Sequence, residues 1–177
     1  MKTLVIHPKD SSTDFLSVIY AGNDWTVIND PKVSDKILKE QIKAHDRIVM
    51  LGHGTDEGLI AMTTSYDYRW LVGSSLVYLL REKECVSIWC NADVFVKKYG
   101  LKGFYTGMIV SEGNEANLYC IKSTSDEIEF SNVLFANSVK DAINAPNMLA
   151  EMKVKYDHDT NPIIDFNKKN LYENIAF

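Results

Sequence analysis

The chain has 177 residues and a net charge of −5, with 46% apolar and 24% charged residues. These values are ordinary for a soluble globular protein, and the lack of a broad basic field argues against nucleic acid as a partner. No apolar run reaches the roughly 18 residues of a membrane-spanning helix, so no membrane partner is expected. The three cysteines form no CxxC pair, which indicates a reducing cytoplasm and predicts neither a metal site nor a cofactor.

Strand and helix signals alternate along the chain. Strands are predicted at 3–7, 25–28, 47–51, 86–89 and 103–110. Helices are predicted at 14–21, 35–44, 68–81, 92–98, 114–121 and 130–156, the last with a break near Pro146. Residues 58–62 are expected to form a small hairpin arm, and residues 162–167 a late edge strand.

This alternation predicts an α/β fold, a three-layer αβα sandwich with a mostly parallel sheet and right-handed crossovers. We expect a flavodoxin-like strand order, 2-1-3-4-5. A single caspase-like α/β domain is expected over 1–177, with its core in 1–122. A C-terminal helical segment with an edge strand would then fill 123–177.

Two apolar runs each lead into a reactive residue. The first, residues 47–54, reaches His53 and Gly54, and the second, residues 85–91, reaches Cys90. Ligands bind at the carboxyl ends of parallel strands, and neighbouring strands lie about 4.8 Å apart. We therefore expect the imidazole and the thiol to meet in one crevice. A thiol beside an imidazole is the arrangement that makes a cysteine nucleophilic.

The residues around this pair supply the other parts of an acyl-transfer site. Cys90 precedes a short predicted helix whose N-terminus favours negative charge. The backbone N–H groups of Gly54 and Cys90 are expected to form an oxyanion hole. Taken singly, a cysteine that ends a buried strand is usually a small apolar residue, and a histidine before glycine is usually a turn residue. Their conjunction in adjacent units favours catalysis.

Four further residues are candidates for substrate binding. Asp10 and Asp14 follow the first strand and would form a pocket for Arg or Lys, although helix capping is the alternative. Asn91 would position the Cys90 loop, or else cap the next helix. Glu112 follows the fifth strand and is a second candidate for a basic-residue pocket, with a turn or cap role as the alternative.

His-Gly after one apolar strand, followed by Cys after the next, resembles the caspase-like cysteine peptidases. That group includes metacaspases, gingipains, legumain and separase. The resemblance covers about residues 1–110 and implies a His53–Cys90 dyad with an oxyanion hole from Gly54 and Cys90. The separation of the pair, 90 − 53 = 37 residues, is shorter than the roughly 50 of caspases. The caspase signature Gln-Ala-Cys-x-Gly is absent, and Ile88 stands where metacaspases carry an acid.

The sequence therefore predicts a cysteine endopeptidase, a hydrolase that acts on a peptide or protein substrate. Such a small peptidase is expected to be controlled by a ligand, a regulatory partner or homo-oligomer formation. The alternative is a non-catalytic ligand-binding or scaffold protein that uses the same α/β crevice. No phosphate-binding glycine motif is present, which weakens a nucleotide-binding interpretation.

Overall fold

The computed structural model describes residues 1–64, 67–158 and 160–174. The strands are β1 Thr3–Ile6, β2 Thr26–Ile28, β3 Arg47–Leu51, β4 Gly54–Thr55, β5 Gly58–Met62, β6 Tyr68–Val72, β7 Glu84–Ile88, β8 Lys102–Thr106 and β9 Leu171–Asn174. The α-helices are α1 Asp35–Ala44, α2 Val77–Leu80, α3 Ala92–Tyr99, α4 Gly113–Leu118, α5 Ser125–Ala142, α6 Met148–Lys155 and α7 Pro162–Lys168. Two 3-10 helices cover Asp14–Ile19, where a short helix was predicted, and Ser74–Leu76.

The main sheet has the order β2-β1-β3-β7-β8-β9. Its first five strands are parallel, and β9 is antiparallel to β8 at the edge. The predicted 2-1-3-4-5 order is confirmed, since β7 and β8 are the fourth and fifth strands of that prediction. This order makes β3 and β7 direct neighbours.

Both faces of the sheet are covered, as a parallel sheet requires. Ile48 and Met50 of β3 pack on one face with α1 and α3. Val49 and Leu51 of the same strand pack on the other face with α5 and α6. Each of these four side chains is fully buried. The predicted three-layer αβα sandwich is therefore the observed architecture.

The predicted helix at 68–81 is wrong. Tyr68–Val72 forms strand β6, which pairs antiparallel with β5, and helical structure begins only after Gly73. Aromatic and β-branched residues favour a strand here, and Leu71 and Val72 gain burial from it. The expected hairpin arm is confirmed, because β5 is the middle strand of a small antiparallel sheet, β4-β5-β6.

The predicted strand at 162–167 is also wrong, since these residues belong to helix α7. Asn161 caps this helix by accepting hydrogen bonds from the N–H groups of Ile163 and Ile164, and Pro162 occupies its first turn. The edge strand of this segment is β9 instead. The predicted helix at 130–156 divides into α5 and α6 around Pro146. No helix in the described ranges is long and apolar enough to cross a membrane.

Candidate active site

His53 and Cys90 occupy matched positions beyond two neighbouring strands. Leu51 at the end of β3 pairs with Ile88 at the end of β7. The ladder extends one step further, since the Gly52 N–H donates to the Ile88 carbonyl at 3.1 Å. His53 and Cys90 each lie two residues beyond the last pair (53 − 51 = 2 and 90 − 88 = 2). Both therefore leave the sheet at the same edge, and both line one cleft.

This cleft is small and mostly apolar. Its volume is about 30 Å³, which is enough to hold a water molecule. Its apolar walls are Phe15, Leu16, Ile109 and Phe135. An open groove of about 370 Å³ adjoins it, and the two share Phe15 and Ser111. The cleft and the groove therefore have part of one wall in common.

A chain of hydrogen bonds holds His53 from one side. Ser12 Oγ lies 2.6 Å from His53 Nε2 and 2.7 Å from Asp10 Oδ1, and the Ser12 N–H also donates to Asp10 Oδ1 at 3.0 Å. A serine hydroxyl has one proton, which goes to the carboxylate, so His53 Nε2 carries a hydrogen and donates it to Ser12. His53 Nδ1 is then the nitrogen with the free lone pair, and it is the candidate general base.

Asp10 supports this chain as a carboxylate. Its Oδ1 lies 3.8 Å from His53 Nε2, within the range of an ion pair when the imidazole is protonated. Burial alone would raise the pKa of Asp10, but the hydrogen bonds from Ser12 and the nearby His53 and His7 outweigh burial and lower this pKa. The contacts of Asp10 therefore indicate that Asp10 positions His53. The sequence analysis had predicted that Asp10 binds substrate.

Cys90 is held as a neutral thiol. Its Sγ lies 3.6 Å from the Ile109 carbonyl oxygen and 3.8 Å from Glu115 Oε1, and both are hydrogen-bond acceptors. Burial, followed by the negative charge of Glu115, raises the pKa of the Cys90 thiol to about 11. The sequence analysis considered two groups that would favour a thiolate, His53 and the α3 N-terminus, and did not include burial or Glu115.

Glu115 lines the cleft and contacts Cys90, and sequence analysis did not identify it as a site residue. Its Oε2 accepts hydrogen bonds from the Ser111 N–H at 2.7 Å, Ser111 Oγ at 3.2 Å and the Glu112 N–H at 3.2 Å. Glu112 and Glu115 form a capping box at the start of α4. The Glu-x-x-Glu spacing predicts a helix cap, but it does not predict a contact with Cys90, which lies 25 residues earlier in the chain.

A tight turn presents Cys90 between β7 and α3. Asn91 has a left-handed backbone, with φ of 65°, and its N–H donates to the Gly107 carbonyl at 3.2 Å. Asparagine tolerates this conformation better than most residues. The Asn91 side chain is exposed and makes no capping bond to α3. The Asn91 N–H therefore ties the turn after Cys90 to Gly107, and a role of Asn91 in substrate binding stays a prediction.

Gly54 is required by close packing. A Cβ at this position would lie 2.5 Å from Trp89 Cγ and 2.6 Å from the Gly58 carbonyl oxygen. The Trp89 ring is itself fixed, since its Nε1 donates to the Thr55 carbonyl at 3.0 Å. The oxyanion role of the Gly54 and Cys90 N–H groups stays a prediction.

The remaining two predicted substrate-binding residues lie on the surface outside the cleft. Asp14 is exposed in the 3-10 helix, where its charge acts on His7 and Tyr20. Glu112 is exposed and caps α4, which is the alternative considered for it above. Neither side chain belongs to the lining of the cleft, and Asn91 does not either.

A larger cavity of about 480 Å³ lies at the opposite edge of the sheet. Its buried Arg47 is paired with Glu84 at 2.9 Å and with Asn144 at 2.8 Å. Its cysteine, Cys85, donates to the carbonyls of Leu80 and Lys83, and burial raises the pKa of this thiol to about 12. No histidine of the described ranges lines this cavity beside its cysteine, whereas both His53 and Cys90 line the smaller cleft. We therefore place the candidate active site at Cys90.

In the part of the chain that the structure describes, no three His, Cys, Asp or Glu residues are grouped to hold a metal ion. The sequence matches no family model, and comparison with curated proteins also gives no match. The fold and the cleft are therefore the features that bear on function.

Proposed function

We propose that the protein is a cysteine peptidase of the caspase-like type, in which Cys90 attacks a peptide carbonyl and His53 transfers the proton. The observation that carries this proposal is the matched placement of the two residues beyond β3 and β7, in one cleft. A nucleophile and a base from adjacent parallel strands, with backbone donors beside them, suit acyl transfer.

In the first step, Sγ of Cys90 forms a bond to the carbonyl carbon while His53 Nδ1 accepts the thiol proton. The carbonyl π electrons move to the oxygen, which the N–H groups of Cys90 and Gly54 stabilise. The C–N bond then breaks, and the proton on Nδ1 passes to the leaving amine. The acyl group is left on Cys90 as a thioester.

In the second step, His53 Nδ1 takes a proton from water as the water oxygen attacks the thioester carbonyl. The C–S bond breaks, the carboxylic acid product leaves, and the proton returns to Sγ. Through both steps Ser12 keeps Nε2 protonated, and Asp10 offsets the positive charge of the imidazolium.

The raised pKa of Cys90 favours proton transfer during attack over a preformed thiolate. With a pKa of about 11, roughly one thiol in ten thousand is ionised at pH 7. A base within reach of the thiol is therefore needed for the first step, and His53 is the histidine that lines the cleft.

Two properties of the cleft also favour a second candidate, a non-catalytic binding or scaffold protein. A neutral thiol and a cleft of about 30 Å³ suit a closed, inert crevice as well as a resting enzyme. The candidates differ in one respect, since only the enzyme converts a substrate.

The test is the profile of cleavage products from a peptide library. Wild type should generate new termini that are lost in Cys90→Ala and in His53→Ala but retained in Cys120→Ala, which changes an exposed thiol outside the cleft. Products that persist in Cys90→Ala would reject the peptidase. The absence of products from both wild type and Glu115→Gln, in which the Cys90 thiol should ionise more readily, would also reject it.

A further inference from the structure

We propose that Glu115 restrains Cys90: its carboxylate keeps the thiol as a hydrogen-bond donor and holds the enzyme in a resting state. This inference deepens the proposed function and rests on it for its biological meaning. In this proposal, a residue in the first turn of α4 controls the nucleophile.

The first support is the placement of the acceptors around the sulfur. Sγ faces Glu115 Oε1 at 3.8 Å and the Ile109 carbonyl at 3.6 Å. A thiol can donate its one proton to these oxygens, whereas a thiolate would face a carbonyl dipole and a carboxylate with no proton between them. Among the described residues that line the cleft, the other histidine or acidic group is the imidazole of His53. Glu115 is therefore the charged group whose contact with the thiol favours its protonated form.

The second support is that the carboxylate is fixed in place. Three donors, the N–H and Oγ of Ser111 and the N–H of Glu112, bind Oε2 and leave Oε1 facing the sulfur. The capping bonds use only one of the two carboxylate oxygens. The same side chain therefore caps α4 through Oε2 and contacts the Cys90 thiol through Oε1.

The third support is that the wall carrying Glu115 is anchored to two helices. The Ser111 carbonyl accepts a hydrogen bond from Asn132 Nδ2 of α5 at 2.9 Å. Val110 exchanges two hydrogen bonds with the Asn167 side chain of α7, at 2.7 Å and 2.9 Å. The restraint is thus built into the fold, and releasing it requires a movement of this wall away from Cys90.

The test is the rate of alkylation of Cys90 by iodoacetamide as a function of pH, in wild type and in Glu115→Gln. Glutamine keeps an oxygen for the three donors and can turn an amide N–H toward Sγ. We expect the pH midpoint to fall by at least one unit. At pH 7.5 the rate should rise at least about threefold, since tenfold more thiolate is partly offset by its weaker nucleophilicity. Peptide-level mass spectrometry separates Cys90 from Cys85 and Cys120.

Glu112→Gln is the matched control, because Glu112 belongs to the same capping box without contacting Sγ. It should leave both the midpoint and the rate at wild-type values. An unchanged midpoint in Glu115→Gln would overturn the proposal. If that variant does not fold, the ¹³Cβ shift of Cys90 in wild type decides, since titration in the ordinary thiol range would also overturn it. Alkylation needs no catalysis, so faster alkylation without peptide cleavage would support the restraint while rejecting the peptidase.

Discussion

Ser12 Oγ accepts a hydrogen bond from His53 Nε2 at 2.6 Å and donates a hydrogen bond to Asp10 Oδ1 at 2.7 Å. This contact joins the loop after β1 to the residue after β3, two neighbouring strands of the sheet. It determines which ring nitrogen carries the hydrogen, and it leaves Nδ1 as the base. Carboxylate, hydroxyl and imidazole therefore act as one unit, although Asp10 never contacts Cys90 directly.

Ser12→Ala should lower kcat by roughly 10–100-fold, because the ring loses the bond that fixes its tautomer and orientation. KM should change little, since Ser12 does not line the cleft. Steady-state kinetics measures the effect, and ¹⁵N chemical shifts of His53 report the tautomer. Ser11→Ala, an exposed neighbour, is the control and should retain wild-type kinetics. Equal kcat in the two variants would rule out the positioning role.

The free energy of unfolding should fall as the pH rises above about 9. The folded-state pKa values of Cys90, about 11, and Cys85, about 12, exceed the unfolded value of 9.0. Stability from these neutral thiols is complete below pH 9 and is lost as the pH rises through the folded values, because the unfolded state releases its protons first. At pH 10.5 the loss should be roughly 2 kcal/mol per thiol.

Urea denaturation at pH 8 and pH 10.5 measures this loss. Cys90→Ser should show a smaller drop between the two pH values than wild type, because the serine hydroxyl does not titrate in this range. Cys120→Ser, at an exposed site, should behave as wild type. A drop in Cys90→Ser as large as that of wild type would show that burial does not raise the pKa of this thiol.

Asn167→Ala should destabilise the protein by about 2–4 kcal/mol. The buried amide bonds the N–H and carbonyl of Val110 and also donates to the Tyr156 hydroxyl at 3.0 Å. Removing it takes these partners from the buried N–H and carbonyl of Val110, whereas the Tyr156 hydroxyl keeps its bond to Ser131 Oγ at 2.7 Å. Asn137→Ala, whose exposed amide bonds only the Val133 carbonyl of its own helix, should cost about 0.5 kcal/mol or less. Thermal unfolding of the two variants tests this difference.

Gly54→Ala should prevent folding or cost about 3 kcal/mol or more, because a Cβ would overlap the Trp89 ring and the Gly58 carbonyl. Gly113→Ala is the control, since a Cβ at the start of α4 meets nothing within 4 Å. Circular dichroism melting curves compare the two. A Gly54→Ala protein as stable as wild type would mean that β4 and Trp89 separate without cost.

The sheet and the placement of His53 and Cys90 at one cleft follow from the sequence, for one physical reason. Continuous apolar runs such as Arg47–Leu51 identify strands that are buried on both faces, and parallel topology brings their carboxyl ends to one edge. Periodicity was less informative for short segments. The apolar pattern of Tyr68–Val72 is compatible with a helix, and only the pairing with β5 identifies it as a strand. The apolar run after Pro162 is compatible with a strand or a helix.

The partners of the two candidate residues could not be predicted in this way. Ser12 and Glu115 carry ordinary local signals, a serine beside a turn and a glutamate in a capping box. Their contacts with His53 and Cys90 depend on how a loop and a short helix fold back over the sheet edge. Those contacts are tertiary, and the one from Glu115 adds to burial in raising the pKa of Cys90.

The most direct measurement of the central claim is the site of acylation in a single turnover with an activated peptide thioester. Wild type, quenched in acid and digested, should carry the acyl mass on the peptide that contains Cys90. His53→Ala should form this adduct more slowly and retain it longer. Acylation of Ser12 or another residue, or no adduct on Cys90 while substrate is consumed, would contradict the Cys90–His53 account.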